Sequence, residues 1–322
     1  MPAAWSDGSA APEGDAALAE WWRVYNDPVL DGLVARAVEN NLDIAQAVSR
    51  LRQARESLRQ SQADFLPSVS ASGSGGRNFR EGSPDSSSYS LGADASWEID
   101  LFGGIRRSVE ASRADLQAAG YSLANVRAAI VAETVSNYVS VRLAQERLRI
   151  ARETLATVEE NYDIARWRVQ AGPVSSLDEE QGRAPRPQNR APSPPLEQGP
   201  PGALNRIAVL TGDAPGEATR ALETAAPIPD APDAITAGIP ADTLRQRPDV
   251  RQAERALAAA TARIGVAESA LYPSLRISGN VGTSALSLSG LGDVITGGLF
   301  ASIGQLIFDG GATASRVRAQ EA

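Results

Sequence analysis

Cysteine, histidine and lysine are all absent from this 322-residue sequence, so its 31 basic residues are all arginine. Without histidine or cysteine there is no imidazole base, no thiolate nucleophile and no His/Cys metal cage. Without lysine there is no Schiff base and no P-loop lysine. A two-carboxylate glycosidase would need aromatic sugar platforms, and aromatic residues make up only 5% of the chain. The composition therefore predicts a protein that is not an enzyme, with no catalytic residue, no metal ligand and no cofactor. A formal net charge of −8 and the lack of a basic stripe argue against a nucleic-acid partner.

Long hydrophobic runs are missing as well. No stretch of about 18 apolar residues is present, so no transmembrane helix is encoded. The opening MPAAWSDGSAAPEGDAA has no basic region followed by an apolar one, so no export signal is expected in the chain as it stands. The missing cysteine suits an oxidising envelope compartment and equally suits many cytosolic proteins.

What is present is a repeat. Residues 40–76 align without gaps to residues 246–282, and one constant offset pairs Asp43 with Asp249, Pro67 with Pro273, Gly73 with Gly279 and Phe102 with Phe308. Each copy reads as helix, proline, then strand, because helical spacing of apolar residues gives way to period-two alternation after the proline. Tyr89, Leu91, Ala93, Ala95, Trp97, Ile99 and Leu101 alternate with Ser90, Gly92, Asp94, Ser96, Glu98 and Asp100. In the second copy Leu275, Ile277, Gly279 and Val281 alternate with Arg276, Ser278, Asn280 and Gly282, and Leu299, Ala301, Ile303 and Ile307 continue the beat. Two hairpins, four strands in all, are predicted. Strands this long, with one apolar and one polar face, suit either a membrane barrel or a soluble sheet packed on helices. Four strands cannot close a barrel, since the smallest membrane barrels have about eight, so a spanning role requires other chains.

Between residues 105 and 171 there is no proline and a single glycine, Gly120. One helix of about 100 Å is predicted there. Val141, Leu148, Leu155, Tyr162 and Val169 keep a seven-residue beat, shadowed by Ala144, Ala151, Val158 and Ala165, which is a coiled-coil seam. Eight prolines between residues 173 and 201 then predict irregular structure to about residue 202. Helix resumes with ALNRIAVL and stops at Gly212.

Four segments carry a family resemblance: FLPSVSASG (65–73), WEIDLFGGIRRSVEA (97–111), LNRIAVLTG (204–212) and RPDVRQAERAL (247–257). In order and spacing they resemble the TolC-like outer membrane factors, in particular the NodT/OprM-like lipoprotein branch of resistance-nodulation-division (RND) efflux systems. The resemblance implies a mainly α fold with membrane β-hairpins. Each chain of a homotrimer would contribute four strands to a twelve-stranded barrel in the outer membrane of a Gram-negative bacterium, continued by a coiled-coil α-helical tunnel through the periplasm. The function implied is passive export, with a periplasmic adaptor (membrane fusion protein), an inner-membrane RND pump and outer-membrane lipid as partners.

The resemblance divides the chain as follows. Residues 1–66 hold the N-terminal segment and first short tunnel helices, 67–101 the first barrel hairpin, and 102–172 the long tunnel helix. Residues 173–212 hold a proline-disrupted second tunnel helix, 213–245 an equatorial connector, 246–272 the repeat helix, 273–308 the second hairpin, and 309–322 the start of a further tunnel helix. Tyr89, Leu91, Trp97, Ile99, Leu275, Ile277, Leu299 and Ile303 would face lipid, and Asp94, Glu98, Asp100, Arg276 and Asn280 the lumen. The tip meeting the adaptor would include Gly172, Val174, Ser175, Leu177 and Asp178; Asp178 also reads as a helix-start residue whose charge is dispensable. The family implies a lipid-accepting cysteine ahead of MPAAW and a helical pair beyond Ala322, so the chain is expected to be truncated at both ends. Two other readings fit the same sequence: a periplasmic coiled-coil adaptor or structural protein outside the membrane, or a nonfunctional fragment of an efflux gene.

Overall fold

Helix α1 (Pro28–Asn40) starts where Asp27 accepts hydrogen bonds from the backbone N–H groups of Val29 (2.9 Å) and Leu30 (3.3 Å), with Pro28 in the first turn, where no N–H is needed. It is preceded by a 3-10 turn, Trp21–Tyr25. Asn41 interrupts the helix, and α2 (Leu42–Ala63) begins at once, because the Asn41 side-chain oxygen caps the N–H groups of Asp43 (2.9 Å) and Ile44 (3.3 Å). The remaining elements are β1 (Ser68–Arg80), β2 (Ser83–Ile99), α3 (Gly104–Gln170), α4 (Ser176–Arg183), α5 (Pro185–Arg190), α6 (Pro201–Thr211), α7 (Pro248–Ser269), β3 (Ser274–Ala285), β4 (Ile295–Gly304) and α8 (Ala312–Glu321). This computed structural model describes residues 20–80, 82–172, 175–191, 201–214, 216–217, 220, 222–230 and 245–322. Among the described residues no helix is long and apolar enough to cross a membrane.

The chain forms two compact units, residues 1–48 with 123–247 and residues 49–122 with 248–322. The core of the first is built from helical i, i+3, i+4 stripes: Leu30, Leu33 and Val34 of α1, Val131, Val135, Tyr138 and Val141 of α3, Ile207 and Ala208 of α6, and Leu222. A second cluster joins Ala37, Ile44, Ile130 and Leu210. Asn41, only 4% exposed, donates from its side-chain amide to the Leu210 carbonyl at 3.1 Å, so one side chain caps α2 and satisfies a carbonyl in the last turn of α6. Gly212 then ends the helix at φ 71°, a left-handed value that suits glycine.

In the second unit the sheet order is β1-β2-β3-β4, every neighbour antiparallel. The sequence-level hairpins are β1–β2 and β3–β4; the β2–β3 pairing joins the two repeat copies. Small residues bring α3 and α7 close. Ala111, Ala114, Ala259 and Ala262 are buried, a β-carbon on Gly104 would meet Ser269 Oγ at 2.6 Å, and Arg263 pairs with Asp115 at 2.5 Å.

The predicted long helix is present as the 67 residues of α3. Its seven-residue track is half-buried at Leu148, Leu155, Tyr162 and Val169, as are Ala144, Ala151, Val158 and Ala165, while most intervening positions are exposed.

The expectation of irregular structure over residues 173–202 needs correction. Residues 176–183 and 185–190 are helical. Pro185 and Pro187 fall in the first turn of α5, where the missing N–H has no intrahelical acceptor to lose, so the prolines segment the helix without melting it. Pro201 opens α6 in the same way. Pro173, Pro192, Pro194, Pro195 and Pro200 lie outside the described residues.

Candidate functional site

The strand registers define two faces. Val69, Ala71, Gly73 and Gly75 of β1 pair with Ala95, Ala93, Leu91 and Tyr89 of β2. Trp97 and Ile99 pair with Ile277 and Leu275 of β3, which pair in turn with Ala301 and Ile303 of β4. Because partners in register share a face, Tyr89, Leu91, Trp97, Ile99, Leu275, Ile277, Leu299 and Ile303 lie together on one side. The other side carries Ser70, Ser72, Ser74, Ser90, Asp94, Ser96, Glu98, Arg276, Ser278, Asn280 and Ser302. The apolar face is uncovered in the single chain: Leu299 is 80% exposed and Ile303 71%. Among the described strands, the outer edges of β1 and β4 have no partner strand.

The charges on the polar face are not equivalent. Glu98 and Arg276 are cross-strand partners and form an ion pair at 3.3 Å. Asp100 lies just beyond β2 and has a different task from lining the face. Its carboxylate caps α3 by accepting from the N–H groups of Ile105 (3.1 Å) and Arg106 (3.0 Å), and it pairs with the Arg106 guanidinium at 3.0 Å. Asp94, between Ser70 and Asn280, has no hydrogen-bond or ion-pair partner among the described residues.

Aromatic side chains gather where strands give way to helices. Trp97 donates its indole N–H to the Phe65 carbonyl at 2.9 Å, and Phe102 stacks on Tyr272 with ring centroids 4.9 Å apart. These tie the entry and exit of each repeat copy to the sheet.

At the far end of α3, Gly172 turns the chain at φ 90°. Ser175 begins α4, and the Asp178 carboxylate reaches back to accept from the Ser175 N–H (2.9 Å) and hydroxyl (3.0 Å). Leu177 is exposed; Val174 lies outside the described residues. The short helices return along α3: the Arg186 guanidinium sits 4.4 Å from the centroid of the Tyr162 ring, and Gly182 lies close to Ala165 and Tyr162.

Sequence reasoning missed a polar network in the first unit. The Tyr138 hydroxyl donates to the Asp27 carboxylate and accepts from Arg142 Nε at 3.0 Å. Arg142 and Gln145 donate to the carbonyls of Thr224 (2.8 Å) and Leu222 (2.7 Å). Burial and the Asp27 carboxylate push the Tyr138 phenol above its usual range, against the opposing pull of Arg142. Neither the Asp27 cap nor its reach to a tyrosine 111 positions away was singled out from the sequence. Among the described residues there is no group of three or more side chains suited to hold a metal ion.

A four-stranded sheet of long strands with one apolar and one hydroxyl-rich face, whose first hairpin runs directly into a 67-residue helix, defines a TolC-like channel-protein fold. Residues 33–212 and 239–322 match the model of the family described as outer membrane efflux protein, and the chain belongs to that family. Nodulation protein T of Rhizobium leguminosarum bv. viciae is 33% identical over 315 residues, covering 97% of this chain and 65% of the relative. The toluene efflux pump outer membrane protein TtgC of Pseudomonas putida is 32% identical over 298 residues, covering 88% of this chain and 61% of the relative. The chain thus spans less than two thirds of the length of these relatives. Among solved structures, the outer-membrane channel OprN superposes with a TM-score of 0.83 at 33% identity, over 99% of this chain and 76% of that one.

Proposed function

We propose that this chain is a subunit of a passive outer-membrane export duct and performs no catalysis. The observation that carries the reading is the sheet: one face apolar and uncovered, the other hydroxyl-lined, and both edges open. Apolar surface of this extent is costly in water and natural in lipid, and an open strand edge cannot stand in hydrocarbon. Both demands are met together when copies pair edge to edge, and three copies of a four-stranded sheet give a twelve-stranded barrel. The half-buried heptad track of α3 then packs against neighbouring helices to continue the duct as a tunnel.

In this reading residues 67–101 and 273–308 supply the barrel and residues 102–172 the long tunnel helix. Tyr89, Leu91, Trp97, Ile99, Leu275, Ile277, Leu299 and Ile303 meet lipid, while Asp94, Glu98, Arg276 and Asn280 face water. The turn at Gly172 with Val174, Ser175, Leu177 and Asp178 meets a periplasmic adaptor, through which an inner-membrane RND pump supplies the energy. The likeness to a toluene efflux pump outer membrane protein and to the outer-membrane channel OprN supports the same class of activity.

The experiment is to express the chain with an export signal, isolate outer membranes, and record purified protein in planar bilayers. Outer-membrane recovery with stepwise ohmic conductance is the expected result. A protein found only in the soluble periplasmic fraction, with no conductance, would overturn the reading and favour a coiled-coil protein outside the membrane.

A further inference from the structure

Among the described side chains, the polar face of the sheet is small or hydrophilic at every position but one. The exception is Phe300 on β4, aligned with Ser278 and 59% exposed. Its ring folds along its own strand over Gly298. A β-carbon at Gly298 would stand 2.7 Å from Phe300 Cζ and 3.4 Å from the Asn280 side-chain oxygen. The ring therefore reaches the row formed by Asp94, Asn280 and Gly298, which are cross-strand partners. That row also holds the one carboxylate of this face with no partner among the described residues: Glu98 is neutralised by Arg276, and Asp100 is spent on the start of α3.

We propose that Asp94, Asn280 and Phe300 form a transit subsite for organic cations that carry an apolar or aromatic portion. This rests on the reading of the polar face as the duct wall. A cation seated over Asn280 stands about 5 Å, one strand spacing, from the rows of both Asp94 and the Phe300 ring. The carboxylate attracts the charge, the ring face favours a cation or an apolar group, and the Asn280 amide supplies hydrogen bonds to any polar substituent. All three groups are open to water, so binding is weak, which conduction requires: a ligand held tightly would block the duct. Gly298 is part of the subsite because only its lack of a side chain lets the ring lie across this row. The colliding atom is the free end of an exposed ring, so Gly298→Ala swings the ring away without breaking the strand.

The test uses the full chain in planar bilayers with tetraphenylphosphonium as the aromatic cation and tetramethylammonium as a cation without rings. Tetraphenylphosphonium is expected to reduce the open current in a concentration-dependent manner. Asp94→Asn and Gly298→Ala should each raise the half-blocking concentration about two- to five-fold. Any response to tetramethylammonium should depend on Asp94 and be indifferent to Gly298→Ala. Identical block in the parent and both variants would overturn the subsite while leaving the duct intact. If the chain gives no conductance, the duct reading fails by itself. Equilibrium dialysis of tetraphenylphosphonium against detergent-solubilised protein then decides the subsite: uptake sensitive to Asp94→Asn supports it, and its absence overturns it.

Discussion

At the scale of single residues, two buried polar side chains carry more than their neighbours. Asn41 makes three hydrogen bonds from one amide, so Asn41→Ala removes the α2 cap and orphans the Leu210 carbonyl. A loss of about 1–3 kcal/mol in the unfolding free energy is expected by chemical denaturation. Asn41→Asp keeps the cap but sets a carboxylate oxygen against the Leu210 carbonyl oxygen in a buried site, and should not restore the lost stability. Tyr138→Phe should cost about 1–2 kcal/mol through the lost contacts with Asp27 and Arg142. The pH dependence has a definite sign. The folded state raises the Tyr138 phenol and so favours its neutral form. That contribution is complete below the ordinary tyrosine range and is lost as pH climbs through the raised value, above about 10. Denaturation followed against pH should show an alkaline limb that Tyr138→Phe flattens. The caps at Asp27 and Asn41 were not singled out from the sequence and came to light only with the hydrogen bonds they make. Tyr138 gave no local signal either, because its partner Asp27, and the Thr224 carbonyl that anchors its other partner Arg142, come from distant segments, and no local pattern marks such a meeting.

At the scale of elements, periodicity told most of the story. The alternation after Pro67 and Pro273, and the uninterrupted helical spacing from residue 105, were visible because each is a local rule repeated over many residues. The β2–β3 pairing was invisible, since it joins residues nearly two hundred positions apart. Counting prolines misled over residues 173–202 because their cost depends on position within a turn, which the count ignores. Asp100 looked like one more member of the polar face by parity, and its capping of α3 became apparent only once β2 was seen to end at Ile99. The ion pair between Arg206 of α6 and Glu133 of α3 lowers the Glu133 carboxyl below its usual range, first through the hydrogen bond from Arg206. Its stabilisation is present above the ordinary carboxylate range and is lost as pH falls through the depressed value. Both side chains are substantially exposed, so Glu133→Gln at neutral pH should shift stability by no more than about 1 kcal/mol, well under the effect at Tyr138. The seam of α3 makes a different prediction. Leu148 and Leu155 are half-buried in one chain, so replacing both by alanine should leave the helical circular dichroism nearly unchanged while shifting sedimentation in detergent toward the monomer.

At the scale of the whole molecule, the account depends on which environment each face of the sheet meets. A charge on the apolar face should be excluded from the membrane at about 2–4 kcal/mol near the midplane, whereas the same charge on the polar face should be tolerated. Leu299→Arg is therefore expected to lower outer-membrane recovery and Ser278→Arg to leave it unchanged. The sequence encoded this two-faced pattern openly, but could not say which polar residues remain free once neighbours pair, and so gave no sign of the row at Asp94. The absence of cysteine offers the most direct test, because any single introduced cysteine is the only thiol in the chain. Cysteines placed one at a time from position 275 to 281, in protein reconstituted into lipid vesicles, should react with a water-soluble, membrane-impermeant maleimide in strict alternation. Labelling is expected at 276, 278 and 280 and protection at 275, 277, 279 and 281; uniform labelling along the strand, or none at all, would contradict the two-faced barrel strand.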